Sequence, residues 1–511
     1  MNRARNSIRN IIFGLGGQIL NILMSFAMRT VFIHTLDEVY QGVNGTFTNI
    51  LMLFSLADLG VGTAIIYALY KPIAEDNKVK IQGLMKLYQK AYIIVGFVVV
   101  AMGLVTLPFL EYLVKDANIP DLHLIFMLFV INTASGYFFS YKGSLITAHQ
   151  KNYIVTNVIY GTSILCYGIQ MIVMSLTHNY ILTLSIQVGT NALQGIITMF
   201  LADRMYPYIR GKNDSVLPKK DRKAIFRSMG SLMFYRAGQV VINGTDSLII
   251  SSIVGVKEAG IYSNYSLLTT TVKNLLQQVF NACTASIGNM AATESNRRKY
   301  KVYNAIFFGN FWMFGFAAVC FYVLFNPFVA IWAGTDRLLD QTMVVFIVLN
   351  FYLVGMRNVN TTFRDTMGVF EEGKFIPIIS AIVNIGISIM TAKAFGLIGA
   401  FIGTTVSMLT TLVWMEPVVL FKHGFHRSPL VYFVKYAVYF CVTLLTALLT
   451  DFLAGLLGSG GLLVFAGKFL ICMIVPNTIF YLLFRKTGDF QLLARQVKSV
   501  LGRKLRRKKH A

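Results

Sequence analysis

The length and number of its apolar runs most constrain how this chain can fold. Stretches such as those holding Met199–Ala202, Ile249–Val254 and Val344–Leu349 continue for about 20 residues, enough to cross the ~30 Å hydrocarbon layer of a bilayer. Lipid offers no partner to backbone N–H and C=O groups, so each such run must form a helix. The runs fall at roughly 10–34, 44–70, 88–112, 122–146, 153–176, 181–203, 228–254, 259–288, 302–333, 341–368, 376–394, 397–420, 431–455 and 462–484. An all-α membrane protein with about fourteen transmembrane helices is expected. With 55% hydrophobic and 13% charged residues, the chain lacks the ~25% charge that covers a soluble domain. The first run is longer than a signal-peptide core and reads as the first span.

The formal charge of +24 reflects topology and not nucleic acid, because the charges sit between the apolar runs. Of the 46 Lys and Arg, 37 fall at the N-terminus, in alternate loops or at the span ends that border them, or in the tail, the richest loop running from Arg204 to Arg227. The opposite loops hold only Lys115, Lys257, Arg337 and Lys393. Basic loops stay on the cytoplasmic side, so both termini are expected in the cytoplasm. The tail from Phe490 reads as an amphipathic helix ending in a basic cluster, suited to an anionic membrane surface.

A shift of about 220 residues brings Gln18 onto Gln239, Glu38 onto Glu258 and Asn44 onto Asn264. This weak repeat implies two six-helix lobes of like topology, related by a pseudo-two-fold axis along the membrane normal. The expected division is an N-lobe at 1–210, a basic cytoplasmic linker at 211–227, a C-lobe at 228–425, two appended spans at 426–485 and a basic tail at 486–511. Two lobes around a cleft is a transporter plan.

Charge at a bilayer centre costs about 2.5–3.5 kcal/mol per side chain by insertion scales, so intramembrane charges face a cavity or a partner. Span 1 carries Gln18, Asn21, Ser25 and Arg29 at spacings of three and four, which is one helix face. Span 2 carries Asn44, Thr48, Ser55 and Asp58, and span 7 carries Arg236, Gln239, Asn243 and Asp246. Span 8 adds Lys273 and Asn274, and span 10 adds Arg357 and Asn360. Spans 3, 6 and 13 read as nearly pure hydrocarbon. The four cations Arg29, Arg236, Lys273 and Arg357 suit an anionic substrate. Asp58 and Asp246 are candidates for charge pairing or for coupling to H⁺ or Na⁺. The neutral polar residues serve equally well as bonds between helices.

No GxxxxGK[ST], HExxH, GxSxG or Cys/His metal spacing occurs, so neither enzyme chemistry nor a metal or other cofactor is expected. The five cysteines lie inside apolar runs and read as small core residues. The short outer loops leave little room for a glycan polymerase.

Arg29-Thr30-Val31-Phe32-Ile33, the run Tyr40 to Phe47, the run Phe54 to Gly62 and the run Gly396 to Thr404 resemble bacterial polysaccharide repeat-unit flippases. These belong to the multidrug/oligosaccharidyl-lipid/polysaccharide exporter superfamily. The resemblance implies movement of a polyprenyl-diphosphate-linked oligosaccharide across the bacterial cytoplasmic membrane by alternating access, with the four cations as diphosphate and acidic-sugar contacts. It implies membrane lipids, glycan polymerases and glycosyltransferases as partners of a monomer. Lipid II flippases, also with fourteen spans and a cationic cavity, stay open as an alternative. So do multidrug antiporters, although these have twelve spans and an acidic or Pro-bearing first helix that this chain lacks. A scaffold for glycan synthesis is the reading from outside transport, and it has no use for lumen-facing charges.

Overall fold

A computed structural model of the chain describes residues 2–58, 61–115, 119–149, 151–210, 244–369, 372–458 and 460–495. Among them the secondary structure is helical throughout, and eleven helices are long and apolar enough to cross a membrane. The chain is a multi-pass membrane protein. It divides into two compact units, Met1–Gly260 and Ile261–Ala511. The division therefore falls downstream of the basic segment 211–227, which lies outside the described residues.

The first unit contains α1 (Asn2–Thr35), α2 (Glu38–Phe54), α3 (Val61–Ala74), α4 (Lys78–Thr106), α5 (Leu122–Ala148), α6 (Asn152–Thr177) and α7 (Tyr180–Met205). Helix α1 runs along α6, while α5 packs between α4 and α7. Phe47 of α2 meets Phe126 and Phe129 edge-on at 4.9 and 5.8 Å, a favoured geometry for buried rings.

Span 2 was expected to be continuous from 44 to 70, and it is not. It splits into α2, a single 3₁₀ turn at Ser55–Asp58, and α3. The Ser55 hydroxyl donates to the Met52 carbonyl at 2.5 Å, which diverts a backbone acceptor, and the glycine at 62 adds little helix propensity. Asp58 is thereby placed at a helix break. Of span 7 the described part is a short apolar helix, Gly244–Val254, which ends in a π turn.

Helix α8 (Val256–Thr293) crosses the division between the units. Its polar residues keep it out of the eleven, although it fills the expected eighth span.

The second unit is built on α9 (Asn296–Trp332), with α10 (Gln341–Met356), α11 (Asn358–Met367), α12 (Ile376–Phe395), α13 (Leu397–Thr410), α14 (Leu412–Val419), α15 (Leu430–Gly455) and α16 (Gly461–Phe484). Spans 10 and 12 are also broken. The first breaks at Arg357 and the second at Thr411 (φ −129°, ψ −83°), followed by a π-helical stretch at Leu420–Phe425. Pro417 lacks an N–H and its ring crowds the preceding turn, which accounts for the distortion in span 12. Between α12 and α13 the chain turns on Gly396 at φ +64°, a left-handed conformation that favours glycine.

The last two spans are not an appendage. Phe311 of α9 stacks on Tyr439 of α15 at 4.2 Å and lies 4.9 Å from Phe480 of α16. An aromatic stripe on α9 binds both helices into the unit's core. The tail begins as a helix at 488–495, and its first residues dock on protein. Lys435 donates to Asp489 at 2.6 Å and Phe490 stacks on Trp312. The basic end of the tail lies outside the described residues.

Candidate functional site

In the first unit, Arg29 near the end of α1 reaches α2. Its Nη2 donates to Gln41 Oε1 at 3.4 Å, and the guanidinium sits 5.5 Å from the Phe32 ring centroid. One turn along α2, Asn44 donates to the Tyr180 hydroxyl at 2.8 Å. The Tyr180 ring packs between Phe32 and Tyr40, 5.5 Å from each. Arg29 and Asn44 are thus brought into one polar and aromatic cluster, with Gln41 and Tyr180 as members that the polar stripes do not single out. Gln41 is fully buried and its Nε2 has no hydrogen-bond partner among the described residues. Its spacing of three from Asn44 is the signal that marks it. Gln18 and Asn21 lie half-buried two to three turns back along α1.

Asp58 is placed elsewhere. It lines a cleft of about 470 Å³ inside the first unit, together with Tyr88 and Tyr92 of α4 and Asn191 and Gln194 of α7. Spans 3 and 6 therefore contribute polar groups to a cavity, correcting the expectation of pure hydrocarbon. Asp246 is half-buried on the 244–254 helix. Arg236, Gln239 and Asn243 lie outside the described residues.

In the second unit Arg357 is not an open cation. Its Nε and Nη2 donate to the two carboxylate oxygens of Glu416 at 2.9 and 2.8 Å, and both side chains are at most 8% exposed. Arg364, 3.9 Å from the same carboxylate, also donates to Asp365 at 2.8 Å. The expectation for Arg357 is corrected by this bidentate pair, which supplies its countercharge from within the fold. Glu416 is the one acidic residue of span 12, and its presence in an apolar run is the signal that identifies it. Asn360 is likewise spent internally. It accepts from the Tyr303 hydroxyl and donates to the Tyr432 hydroxyl at 3.0 Å. Lys142, at the end of α5, is held by Asp203 at 2.7 Å rather than reaching alone toward water.

Lys273 differs from all of these. It is half-buried in the middle of α8 and makes no ion pair or hydrogen bond with the described residues. Asn274 beside it is exposed. Among the described residues no three His, Cys, Asp or Glu side chains converge as a metal site would require. Cys166, Cys320, Cys441 and Cys472 are free thiols.

Residues 7–284 match the sequence profile described as "Polysaccharide biosynthesis protein", which is more than half of the chain. The chain belongs to the polysaccharide biosynthesis protein family. This member has the fold of solved transporters. Over 93% of its length it is similar to the lipid II flippase MurJ in an inward closed conformation, at 12% identity and a TM-score of 0.68, covering 99% of that chain. An inward-facing multidrug resistance MATE family transporter of the MOP superfamily matches at 15% identity and a TM-score of 0.58, with 79% of this chain and 96% of that one covered. The MATE transporter VcmN of Vibrio cholerae matches at 12% identity and a TM-score of 0.56, over 83% and 99%. No curated protein sequence matches the chain.

Proposed function

We propose that the chain is a flippase that moves a polyprenyl-diphosphate-linked oligosaccharide from the inner to the outer leaflet of the bacterial cytoplasmic membrane. Lys273 carries this reading. Lys142, Arg357, Arg364 and Lys435 each have a carboxylate partner, while Lys273 has none among the described residues. An ammonium left unpaired at membrane depth is costly unless an anion visits it. A diphosphate is such an anion, and it cannot cross hydrocarbon unshielded. Within the first unit, Arg29 is a candidate phosphate contact in its own right, because its planar guanidinium suits phosphate. The lipid tail stays in the bilayer while the headgroup crosses by alternating access, with H⁺ or Na⁺ as the candidate coupling ion. Family membership and the fold of lipid-linked glycan and drug transporters support this reading over a scaffold.

The test is leaflet reorientation of a polyprenyl-diphosphate oligosaccharide in vesicles holding the purified protein. Lys273→Met keeps the side-chain volume and removes the charge. Its rate is expected to fall about 10- to 150-fold, the equivalent of the ~1.5–3 kcal/mol of a charge-assisted hydrogen bond, with unchanged insertion. Arg29→Ala is expected to fall comparably. Wild-type rates in both variants would remove each of the two cations from headgroup contact. Lipid II run in the same assay separates the two polyprenyl-diphosphate substrates, and efflux of an organic cation without any lipid movement would reassign the chain to drug transport.

A further inference from the structure

Spans 10 and 12 of the second unit are interrupted at nearly the same depth. Counted from the ends nearest Arg337 and Lys393, α10 runs for 16 residues and α13 for 14 before each breaks, or about 24 and 21 Å at 1.5 Å per residue. Beyond the breaks, α11 and the stretch from α14 to Phe425 continue toward the end that carries the basic loops. Both breaks have donors fitted to them. The last carbonyls of a helix have no intrahelical donor. Asn310 of α9 donates to the Gly355 carbonyl in the last turn of α10 at 3.1 Å, and the Trp414 indole N–H donates to the Thr410 carbonyl that ends α13 at 2.7 Å.

The two spans are also tied to each other on both sides of the breaks. Before them, Asn350 of α10 donates to the Phe401 carbonyl of α13 at 3.2 Å and accepts from the Thr405 hydroxyl at 2.7 Å. Beyond them, Glu416 of α14 accepts from Arg357, at the junction with α11, and lies 3.9 Å from Arg364 of α11. So α10 is held to α13, and α11 is held to α14. Each pair moves as a body, and a change of angle between the two bodies falls on the few residues that join them, 356–358 and 410–412.

A fixed double kink would share this pairing, but two features of the breaks favour a joint that moves. Asn310 Oδ1, Asn358 Nδ2 and the Tyr436 hydroxyl are buried around the break in span 10 and have no hydrogen-bond partner among the described residues. Such atoms are rare in a settled interior, and a second angle at the joint can bring them partners. In span 12, Pro417 withholds the N–H that the Val413 carbonyl would otherwise accept, so a helical bond is missing just past the break. Asn360 holds the segment in its present place. It accepts from the Tyr303 hydroxyl and donates to the Tyr432 hydroxyl at 3.0 Å, which links α11 to α9 and α15, and neither of these breaks at this level.

We propose that spans 10 and 12 share one hinge at mid-membrane, on which α11, α14 and Leu420–Phe425 swing together as a lever latched by Asn360. A change of about 20°, the size of a sharp kink, over the ~15 Å of α11 moves its far end by about 5 Å. That the swing serves passage of a headgroup rests on the flippase reading; the hinge itself does not.

The test uses the full-length chain in detergent, with its five cysteines replaced by alanine, and reads distances between paired spin labels. One pair joins Lys422→Cys on the lever to Arg298→Cys on α9. The other joins Leu409→Cys on α13 to Ile331→Cys on α9, on the near side of the break. All four side chains are exposed. The lever pair is expected to give two distances about 5 Å apart, and the second pair one. Asn360→Ala should shift the lever pair several-fold away from the distance of the latched structure. Tyr432→Phe, which keeps the ring and removes one latch bond, serves if Asn360→Ala does not fold. Pro417→Ala returns the missing N–H and should merge the two distances into one. A lever pair as narrow as the second pair, in the wild type and in the latch variant alike, overturns the hinge. Equal broadening of both pairs also overturns it, because the helices then move whole. If the lever pair shows two distances while the wild type moves no lipid in vesicles, the flippase reading falls and the hinge stands.

Discussion

Glu416→Leu is expected to destabilise the second unit by about 3–5 kcal/mol, the usual cost of removing one partner from a buried ion pair. The carboxylate is 2% exposed and takes two hydrogen bonds from Arg357. Without it the guanidinium keeps its charge, because arginine does not deprotonate in proteins. The pair also bridges two irregular points, since Arg357 is the break between α10 and α11 and Glu416 precedes Pro417 in α14. Arg357→Met should cost less than Glu416→Leu, because the carboxylate still has Arg364 3.9 Å away and, unlike a guanidinium, can take up a proton and become neutral. The double variant Arg357→Met/Glu416→Leu should recover most of the loss, since a packed apolar pair of similar volume often equals a buried ion pair. Denaturant unfolding in mixed micelles measures all three. A loss below about 1 kcal/mol for Glu416→Leu would mean that water reaches the pair, and Arg357 would return to the cations that face substrate. Transport by the double variant separates stability from headgroup contact.

Much of the fold is legible in the sequence for one physical reason. A helix that spans lipid needs an unbroken apolar run, and eleven of the expected spans stand in the structure as such helices. What hydropathy does not reveal is continuity. The breaks at Ser55–Asp58, Arg357 and Thr411 interrupt runs whose average composition stays apolar. The candidate site was legible only where partners share a helix or a short hairpin. Arg29 and Asn44 fall on neighbouring helices joined by a two-residue turn, and they form one cluster. Arg357 and Glu416 are 59 residues apart, and no local spacing announces such a pair. The cleft is the extreme case. Tyr88, Tyr92, Asn191 and Gln194 are scattered polar residues in helices that read as hydrocarbon, and only the packing of α4, α5 and α7 gathers them around Asp58.

The same substitution, glycine to alanine, is expected to have opposite signs at two places in the first unit. Gly42 and Gly260 sit where the start of α2 meets the start of α8. A Cβ on Gly42 would overlap the Val256 carbonyl, and one on Gly260 would overlap the Glu38 carbonyl and come within 3.0 Å of the Gly42 nitrogen. These obstacles are backbone atoms, which no change of rotamer moves. Close backbone approach of this kind is what small residues permit between membrane helices. Gly42→Ala should therefore cost about 1–3 kcal/mol through overpacking, even after the ~1 kcal/mol that alanine gains over glycine in a helix. Gly161 on α6 is the control, because a Cβ there meets nothing within 4 Å. Gly161→Ala should keep the propensity gain and stabilise the protein by up to about 1 kcal/mol. Unfolding midpoints of the two variants beside wild type decide the matter. A stabilised Gly42→Ala would show that α2 and α8 stand further apart at this crossing than the structure places them. A loss confined to Gly42→Ala, with Gly161→Ala at or above wild type, would locate the close contact at the start of α2 and not in helix propensity.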